Sequence, residues 1–291
     1  MVKYVSFLGC MVPLRLPSVE LAAKKVFEKT GIEAVDLTGY SCCPEPVISR
    51  LVDQKAWLAA SARNLAMAEE KGLDLMTLCN GCYETLVEAN EILKHQPEAL
   101  KETNQLLKEF GKQYKGTINV KHVVEVLADD VGFVQLQRLV KKPQKMKVAM
   151  HYGCHLYRGH EGEDIMRKPN LMKQLTQLTG ATVVNYGLEK LCCGYPGMQA
   201  NEEFSLKERL ALKLKRIEEA GADAIVLTCP ACTVQFETGQ VLLRKYGIRY
   251  NIPCLNVVEL LALSFGVPSK ELSLDFHRSP VLQLVQKMEA M

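Results

Sequence analysis

The chain has 291 residues, of which 48% are hydrophobic and 24% charged, and its net charge is +3. This composition is typical of a globular protein with a substantial core, and the length indicates two domains. The low, dispersed positive charge argues against nucleic-acid binding, and no apolar run is long enough for a membrane span. The N-terminus lacks the features of a signal peptide, so we expect a cytoplasmic protein.

The first half of the chain predicts alternating strands and helices. Apolar runs at residues 3–8, 32–37 and 73–78 predict strands, and helical spacing predicts helices over 18–30 and 53–71. A further helix is expected from about Tyr83. Each predicted strand leads into a loop that carries cysteine.

The second half repeats this order. Strands are predicted at 148–152, 182–186 and 224–227, and helices at 171–179 and 205–220. Ser205 and Glu208 have the spacing of a capping box, which predicts that the last helix begins at Ser205. Strands again precede the cysteines.

The two halves correspond beyond their cysteines. Residues 69–74 resemble 218–223, and residues 122–127 resemble 256–261. The shorter spacing in the second half indicates a helical insertion near residues 97–114 of the first, which is a candidate surface for a partner. We expect an α/β fold of two tandem related domains, 1–143 and 144–291, each a mostly parallel sheet with helices on both faces, in a pseudo-twofold arrangement.

Ten of the eleven cysteines form one duplicated pattern. A single cysteine is followed by a vicinal pair and then by a C-x-x-C motif, with 35 residues between the pair and the motif in both halves. Because loops at the carboxyl ends of parallel strands gather at one edge of a sheet, each set of five should converge. The sets are Cys10, Cys42, Cys43, Cys79 and Cys82, and Cys154, Cys192, Cys193, Cys229 and Cys232.

Several chemistries use clustered cysteines. A structural disulfide framework does not suit a reducing compartment, and a mononuclear zinc site needs only four ligands. A thioredoxin-like dithiol accounts for Cys229-Pro-Ala-Cys232 but not for the other cysteines of that half. Five thiolates that include a vicinal pair favour a multinuclear iron–sulfur cluster, with zinc and the dithiol as alternatives.

The sequence motifs around these cysteines resemble those of a known family. They are Phe7-Leu-Gly-Cys10, Cys79-Asn-Gly-Cys-Tyr83, His151-Tyr-Gly-Cys-His155, Leu191-Cys-Cys-Gly194 and Cys229-Pro-Ala-Cys-Thr-Val-Gln-Phe236. Together with the spacing, they are similar to the duplicated cysteine-rich CCG domain found in the B subunits of heterodisulfide reductases. The resemblance covers roughly residues 1–267.

The resemblance implies an oxidoreductase subunit with two noncubane [4Fe–4S] clusters, each ligated by one set of five cysteines. It implies reduction of the coenzyme M–coenzyme B disulfide of methanogenesis to two thiols. Electrons would come from the iron–sulfur subunit and the flavin-containing subunit of heterodisulfide reductase, within a complex that can include a hydrogenase or formate dehydrogenase. The alternative is a related electron-transfer subunit that acts on another disulfide or feeds quinone in a succinate dehydrogenase-like complex.

Further residues lie near the cysteines in sequence. His151 and His155 flank Cys154 and either donate hydrogen bonds or protons beside a cluster or are structural. Arg15, Arg158 and Lys190 either bind an anionic substrate group or are surface charges. His122 and Cys254 are expected to be structural, the latter as a buried small residue.

Two stretches depart from the pattern of the family. Residues 195–198 read Tyr-Pro-Gly-Met after the second vicinal pair, where glycine-rich sequence is common, and residues 158–160 read Arg-Gly-His where less polar sequence is expected. Either departure could change the substrate preference. Neither removes a cysteine of the two sets.

Overall fold

The computed structural model describes residues 2–157 and 162–289. Within these ranges eight strands form two sheets. They are β1 Val2–Phe7, β2 Ile32–Asp36, β3 Leu75–Thr77, β4 Val120–His122, β5 Lys147–His151, β6 Thr182–Val184, β7 Ala224–Leu227 and β8 Cys254–Asn256.

Both sheets have the same topology. The strand orders are β2-β1-β3-β4 and β6-β5-β7-β8, and every neighbouring pair is parallel. The first strand of each half is therefore central, with Val5 paired to Val35 on one side and to Leu75 on the other. The predicted α/β fold of two similar halves is confirmed.

Helices connect the strands and cover the sheets. They are α1 Met11–Arg15, α2 Pro17–Thr30, α3 Ile48–Val52, α4 Gln54–Glu69, α5 Asn80–His95, α6 Pro97–Leu107, α7 Val123–Glu125, α8 Phe133–Leu139, α9 Arg167–Leu178, α10 Glu202–Phe204, α11 Leu212–Glu219, α12 Pro230–Leu243, α13 Val257–Ser264 and α14 Val281–Glu289. Short π-helical segments, Val126–Gly132 and Ser205–Ala211, connect α7 to α8 and α10 to α11. None of the helices in the described ranges combines the length and hydropathy that crossing a bilayer requires.

One hydrophobic core is shared by the two halves. Val19 and Val26 of α2 belong to the same cluster of buried side chains as Leu261 of α13. Each sheet also has its own core on the opposite face, because successive residues of a strand point to opposite sides. In β1, Tyr4 packs in the shared core and Val5 in the separate core of the first half.

Three predicted helix starts are wrong. The helix predicted from residue 171 is α9, which begins at Arg167. The helix predicted from Ser205 in the second half begins at Glu202, and the Asn201 side chain accepts a hydrogen bond from the Phe204 N–H there. The predicted capping box at Ser205 therefore does not form. The Ser205 hydroxyl instead donates to the Gly194 carbonyl over 2.8 Å. The helix expected from Tyr83 begins at Asn80, which places Cys82 in its first turn.

The fourth strand of each sheet was not predicted, because β4 and β8 contain three residues each and run directly into a helix. The sequence similarity at these positions has a structural cause. His122 and Asn256 are both N-caps of the following helix, and Glu125 and Glu259 complete a capping box in each half. Cys254 lies in β8 and is fully buried, as expected.

Candidate metal centre

All ten cysteines of the duplicated pattern line one cavity of about 470 Å³. Cys10 and Cys154 follow the central strands, the vicinal pairs lie in the loops after β2 and β6, and the C-x-x-C motifs follow β3 and β7. The carboxyl ends of parallel strands thus bring them together. Convergence within each half was predicted, and the structure adds that both sets face the same cavity.

The ten thiols form a continuous row of neighbours. Sγ of Cys43 lies 2.9 Å from Sγ of Cys82, and Sγ of Cys193 lies 3.4 Å from Sγ of Cys232. At the centre of the row, Cys79 of the first half lies next to Cys229 of the second. The order along the row is Cys10, Cys42, Cys43, Cys82, Cys79, Cys229, Cys232, Cys193, Cys192 and Cys154.

The row divides into thiols that ionise easily and thiols that do not. Hydrogen bonds from Cys42 and Cys82 lower the pKa of the Cys43 thiol to about 6. Hydrogen bonds from Cys154 and Cys193 lower the pKa of the Cys192 thiol to about 2, and those from Cys229 and Cys82 lower the pKa of Cys79. The donors themselves resist ionisation, and the pKa of Cys42 is raised by its hydrogen bond to Cys43 and by burial.

This donor set fits metal binding. Ten thiolates in one cavity repel each other, and a positive charge among them is what allows all to ionise together. Thiolate is also the usual protein ligand of iron–sulfur clusters. None of the ten thiols forms a disulfide. Each half supplies five thiols, one more than the four ligands of a zinc site.

His151 lies against the buried end of the second set. One of its ring nitrogens and the sulfurs of Cys193 and Cys232 lie within 4.8 Å of one another. The ring is fully buried, burial lowers its pKa well below the usual range, and neither ring nitrogen has a hydrogen-bond partner in the described chain. A buried imidazole without a partner, beside two thiols, is consistent with a site for a bound group. That group would complete the hydrogen bonding or coordination of the imidazole.

His155 faces the cavity and contacts the other half of the chain. Its Nδ1 atom is hydrogen-bonded to a carboxylate oxygen of Glu84 in α5. Glu84 is 5% exposed, so a buried carboxylate of the first half orients an imidazole of the second. The sequence singled out His155 but had no signal for Glu84, since the two positions are 71 residues apart.

The vicinal pair of the second half is anchored by a buried lysine. Nζ of Lys213 donates hydrogen bonds to the carbonyls of Leu188 and Leu191, the latter over 2.8 Å, just before Cys192. Burial lowers the pKa of Lys213 to about 8. The sequence did not lead us to Lys213. The available signal was a lysine between the apolar positions of a regular helix.

The vicinal pair of the first half is anchored by a neutral amide. Asn64 accepts a hydrogen bond from the Ser41 N–H over 3.0 Å and donates one to the Ser41 carbonyl over 3.1 Å. The position equivalent to Lys213 is Arg63, whose guanidinium donates to the Gly39 carbonyl over 3.1 Å at the surface. The two pairs therefore lie in different electrostatic surroundings.

The glycines before Cys10 and Cys154 have positive φ angles and close contacts. A Cβ atom at Gly9 (φ +67°) would lie 2.7 Å from Sγ of Cys82. At Gly153 (φ +77°) it would lie 2.7 Å from Nδ2 of Asn80 in the other half. Glycine tolerates this backbone conformation and leaves room for these neighbouring atoms, which explains why glycine precedes the cysteine at both positions.

The other residues singled out in the sequence lie elsewhere or complete the rim. Tyr195, Pro196 and Met198, from the unusual stretch after the second pair, line the cavity. Arg15 and Lys190 are exposed, and His122 is a buried N-cap whose pKa is lowered to about 3 by burial and by Lys168. Arg158, Gly159 and His160 lie outside the described residues.

Comparison with known proteins agrees with this geometry. The family of the CCG cysteine-rich domain matches residues 4–87 and 148–237. The B subunit of the ferredoxin/F(420)H(2)-dependent CoB-CoM heterodisulfide reductase of Methanosarcina acetivorans is 38% identical, over 99% of this chain and 97% of that protein. The chain belongs to the family of heterodisulfide reductase B subunits. As a member, it is an oxidoreductase subunit that functions within a complex.

Other relatives show how widely the scaffold is used. A protein of Archaeoglobus profundus, named as similar to the heterodisulfide reductase B subunit, is 38% identical over 91% of both chains. The 8-methylmenaquinol:fumarate reductase membrane anchor subunit of Wolinella succinogenes is 29% identical over 94% of this chain and 95% of that protein. Among solved structures, a hypothetical protein from Helicobacter pylori has a TM-score of 0.72 at 19% identity, over 95% of this chain and 51% of that one. It shares the fold.

Proposed function

We propose that this chain is the catalytic subunit that reduces the disulfide of coenzyme M and coenzyme B to two thiols. The observation that carries the proposal is that both sets of five cysteines line one cavity and meet at Cys79 and Cys229. A disulfide has two sulfurs, and a cavity with two equivalent sets of thiolates offers one metal centre to each. The relatives named as B subunits of CoB-CoM heterodisulfide reductases support this substrate.

The proposed cofactors are two noncubane [4Fe–4S] clusters. Cys10, Cys42, Cys43, Cys79 and Cys82 would hold the first, and Cys154, Cys192, Cys193, Cys229 and Cys232 the second. When bound, these groups supply electrons and positive charge that stabilises the departing thiolates. His151 would donate a hydrogen bond to sulfur at the second set, which its unpartnered buried ring nitrogens support.

The chain supplies the binding surface and a donor for the substrate. Met11, Met198 and Leu242 line the cavity with apolar groups, which exclude water from the reacting sulfurs. Reduction of the disulfide consumes two electrons and two protons per turnover. His155, which lines the cavity and bonds to Glu84 through Nδ1, would serve as a hydrogen-bond or proton donor for a product thiolate.

The proposed electron donors are the iron–sulfur subunit and the flavin-containing subunit of heterodisulfide reductase, in a cytoplasmic complex that can include a hydrogenase or formate dehydrogenase. The inserted segment of the first half, which comprises α6 and the turn after it, is a proposed contact surface. It exposes Leu106 and Phe110, two apolar side chains of a kind that partner proteins cover.

The test is metal analysis followed by single-turnover reduction. We expect the anaerobically purified complex to contain about eight irons and eight sulfides in this chain, the content of two [4Fe–4S] clusters. Mixing the reduced complex with the coenzyme M–coenzyme B disulfide should release two thiols per turnover. One zinc per half without sulfide would contradict the cofactors, and intact clusters without thiol release would contradict the substrate.

A second function is favoured by the relative from Wolinella succinogenes, whose name links it to menaquinol and fumarate reduction. In that case the chain would pass electrons between clusters and a quinone without cleaving a disulfide. Oxidation of the clusters by a soluble menaquinone analogue, faster than by the disulfide, would support this alternative. Oxidation by the disulfide with stoichiometric thiol release would exclude it.

A further inference from the structure

Asn80 connects the two halves at the centre of the row of thiols. Its side chain is fully buried. Nδ2 donates a hydrogen bond to the Tyr152 carbonyl over 2.7 Å, and Oδ1 accepts one from the Thr228 hydroxyl over 2.8 Å. Tyr152 lies two residues before Cys154, and Thr228 directly precedes Cys229. One amide of the first half therefore holds two of the three cysteine loops of the second.

Asn80 does not cap its own helix. Asparagine at the start of a helix usually bonds to nearby backbone and so competes with or caps the helix. Within the described chain, α5 has no side-chain cap hydrogen bond at its N-terminus. Both polar ends of Asn80 instead satisfy groups of the other half, where an unpaired buried acceptor or donor would be costly.

The connection is one-sided. The position equivalent to Asn80 is Pro230, which has no side-chain donor or acceptor. Gly153 supplies the complementary space, because a Cβ atom there would lie 2.7 Å from Nδ2 of Asn80. The pseudo-twofold relation is therefore broken at the point where Cys79 meets Cys229.

We propose that Asn80 is a positioning residue that fixes the two five-cysteine sets relative to each other. By holding the loops of Tyr152 and Thr228, it keeps Cys79 and Cys229 adjacent. Its consequence for electron transfer rests on the proposed function, since the spacing of the two clusters would then depend on this amide. The spacing of the two thiols does not rest on that function.

Asn80→Pro removes both hydrogen bonds with little change to the backbone. Proline is favoured at the first position of a helix, which Asn80 occupies, and Pro230 shows that this scaffold accepts it there. Cys79 has φ −122° and ψ 124°, in the extended region that a residue before proline adopts.

Thr228→Val is a milder variant that removes one of the two bonds and keeps the shape of the side chain. Thr233→Val is its matched control. Thr233 is also buried, and its hydroxyl donates to the Cys229 carbonyl over 3.2 Å, so it bonds beside the same cysteine but within its own half.

The first measurement uses the cluster-free protein. Brief treatment with diamide oxidises neighbouring thiols, and peptide mass spectrometry gives the yield of the Cys79–Cys229 disulfide relative to the Cys43–Cys82 disulfide of the first half. We expect this ratio to fall at least tenfold in Asn80→Pro and about fivefold in Thr228→Val, the factor for one net hydrogen bond. Thr233→Val should keep the ratio of the unmodified protein.

An unchanged ratio in both Asn80→Pro and Thr228→Val would overturn the proposal. If Asn80→Pro does not fold, as judged by circular dichroism, Thr228→Val decides alone. In the cluster-loaded protein, the magnetic interaction between the two reduced clusters should weaken while the iron content is unchanged. Absence of clusters from the unmodified protein would contradict the proposed function but leave the disulfide measurement valid.

Discussion

The two sets of five cysteines share one backbone plan but lie in different surroundings. In the first set only Cys82 is buried, whereas Cys193, Cys229 and Cys232 of the second set are all buried. Each set also has one exposed member, Cys42 in the first and Cys154 in the second. The loop of the first pair is held by the neutral Asn64, and that of the second by the buried Lys213.

The residue three positions before the first cysteine of each set also differs. Phe7 packs on Tyr40 with ring centroids 4.8 Å apart, and its counterpart His151 presents unpartnered nitrogens to two thiols. The duplicated fold thus supplies two sets of five cysteines, and more members of the second set than of the first are buried.

The largest effect should come from removing one ligand of each set. Cys193→Ser should eliminate only the second cluster and Cys43→Ser only the first, so each variant would keep about half the iron and sulfide. Thiol release should be abolished in both, because the proposed reaction uses both metal centres. Iron analysis, paramagnetic resonance and a thiol assay check this. Unchanged cluster spectra in Cys193→Ser would contradict the ligand assignment.

The capping-box glutamates provide the next comparison. Glu259 of the second half is paired to Nε2 of His277 over 2.9 Å, while Nδ1 of the same ring lies 2.8 Å from Glu237. Glu125, the counterpart of Glu259 in the first half, contacts the partly exposed Arg167 over 3.2 Å. His277→Gln should lower the free energy of unfolding by about 3–5 kcal/mol, because it leaves buried carboxylates without their cation. Arg167→Gln should cost about 0–1 kcal/mol.

Chemical denaturation measures both variants. Equal losses for His277→Gln and Arg167→Gln would contradict the difference in burial on which the comparison depends. Neither His277 nor Arg167 is among the described residues that line the cavity of the cysteines, so the cluster content of both variants should match that of the unmodified protein. This separates an effect on stability from an effect on the metal centres.

The same pairing predicts a pH dependence. Burial alone would lower the pKa of His277, but the charges and hydrogen bonds of Glu259 and Glu237 outweigh it and raise the pKa to about 10. The unfolded value is about 6.5. The stabilisation is therefore complete below about pH 6.5 and is lost as the pH rises toward 10. Denaturation at increasing pH should show this loss, and His277→Gln should reduce the slope.

The smallest effect should distinguish the anchors of the vicinal pairs. Lys213→Met leaves the buried carbonyls of Leu188 and Leu191 without a donor, and should lower the free energy of unfolding by about 1–3 kcal/mol. Arg63→Met, at the equivalent position near the surface, should change it by about 0.5 kcal/mol or less. Denaturation of both variants checks this, and a larger loss for Arg63→Met would reverse the interpretation.

The sequence by itself determined the two cysteine sets and most of the fold. Cysteine spacing, duplicated words and strand-like runs before each cysteine predicted two parallel α/β halves with converging thiols, because a strand delivers the residue after it to a known edge of the sheet. It was less informative about short elements. The three-residue strands β4 and β8 and the helix start at Asn80 carried too little periodic pattern.

Only the tertiary structure decided how the halves combine. Contacts between Asn80 and Thr228, Glu84 and His155, and Cys79 and Cys229 join residues far apart in sequence, and no local periodicity encodes them. The same holds for burial of Lys213 and His151, which depends on what packs over them. Local propensity and spacing specify elements and loops, whereas the single cavity arises from the shared core that fixes one sheet against the other.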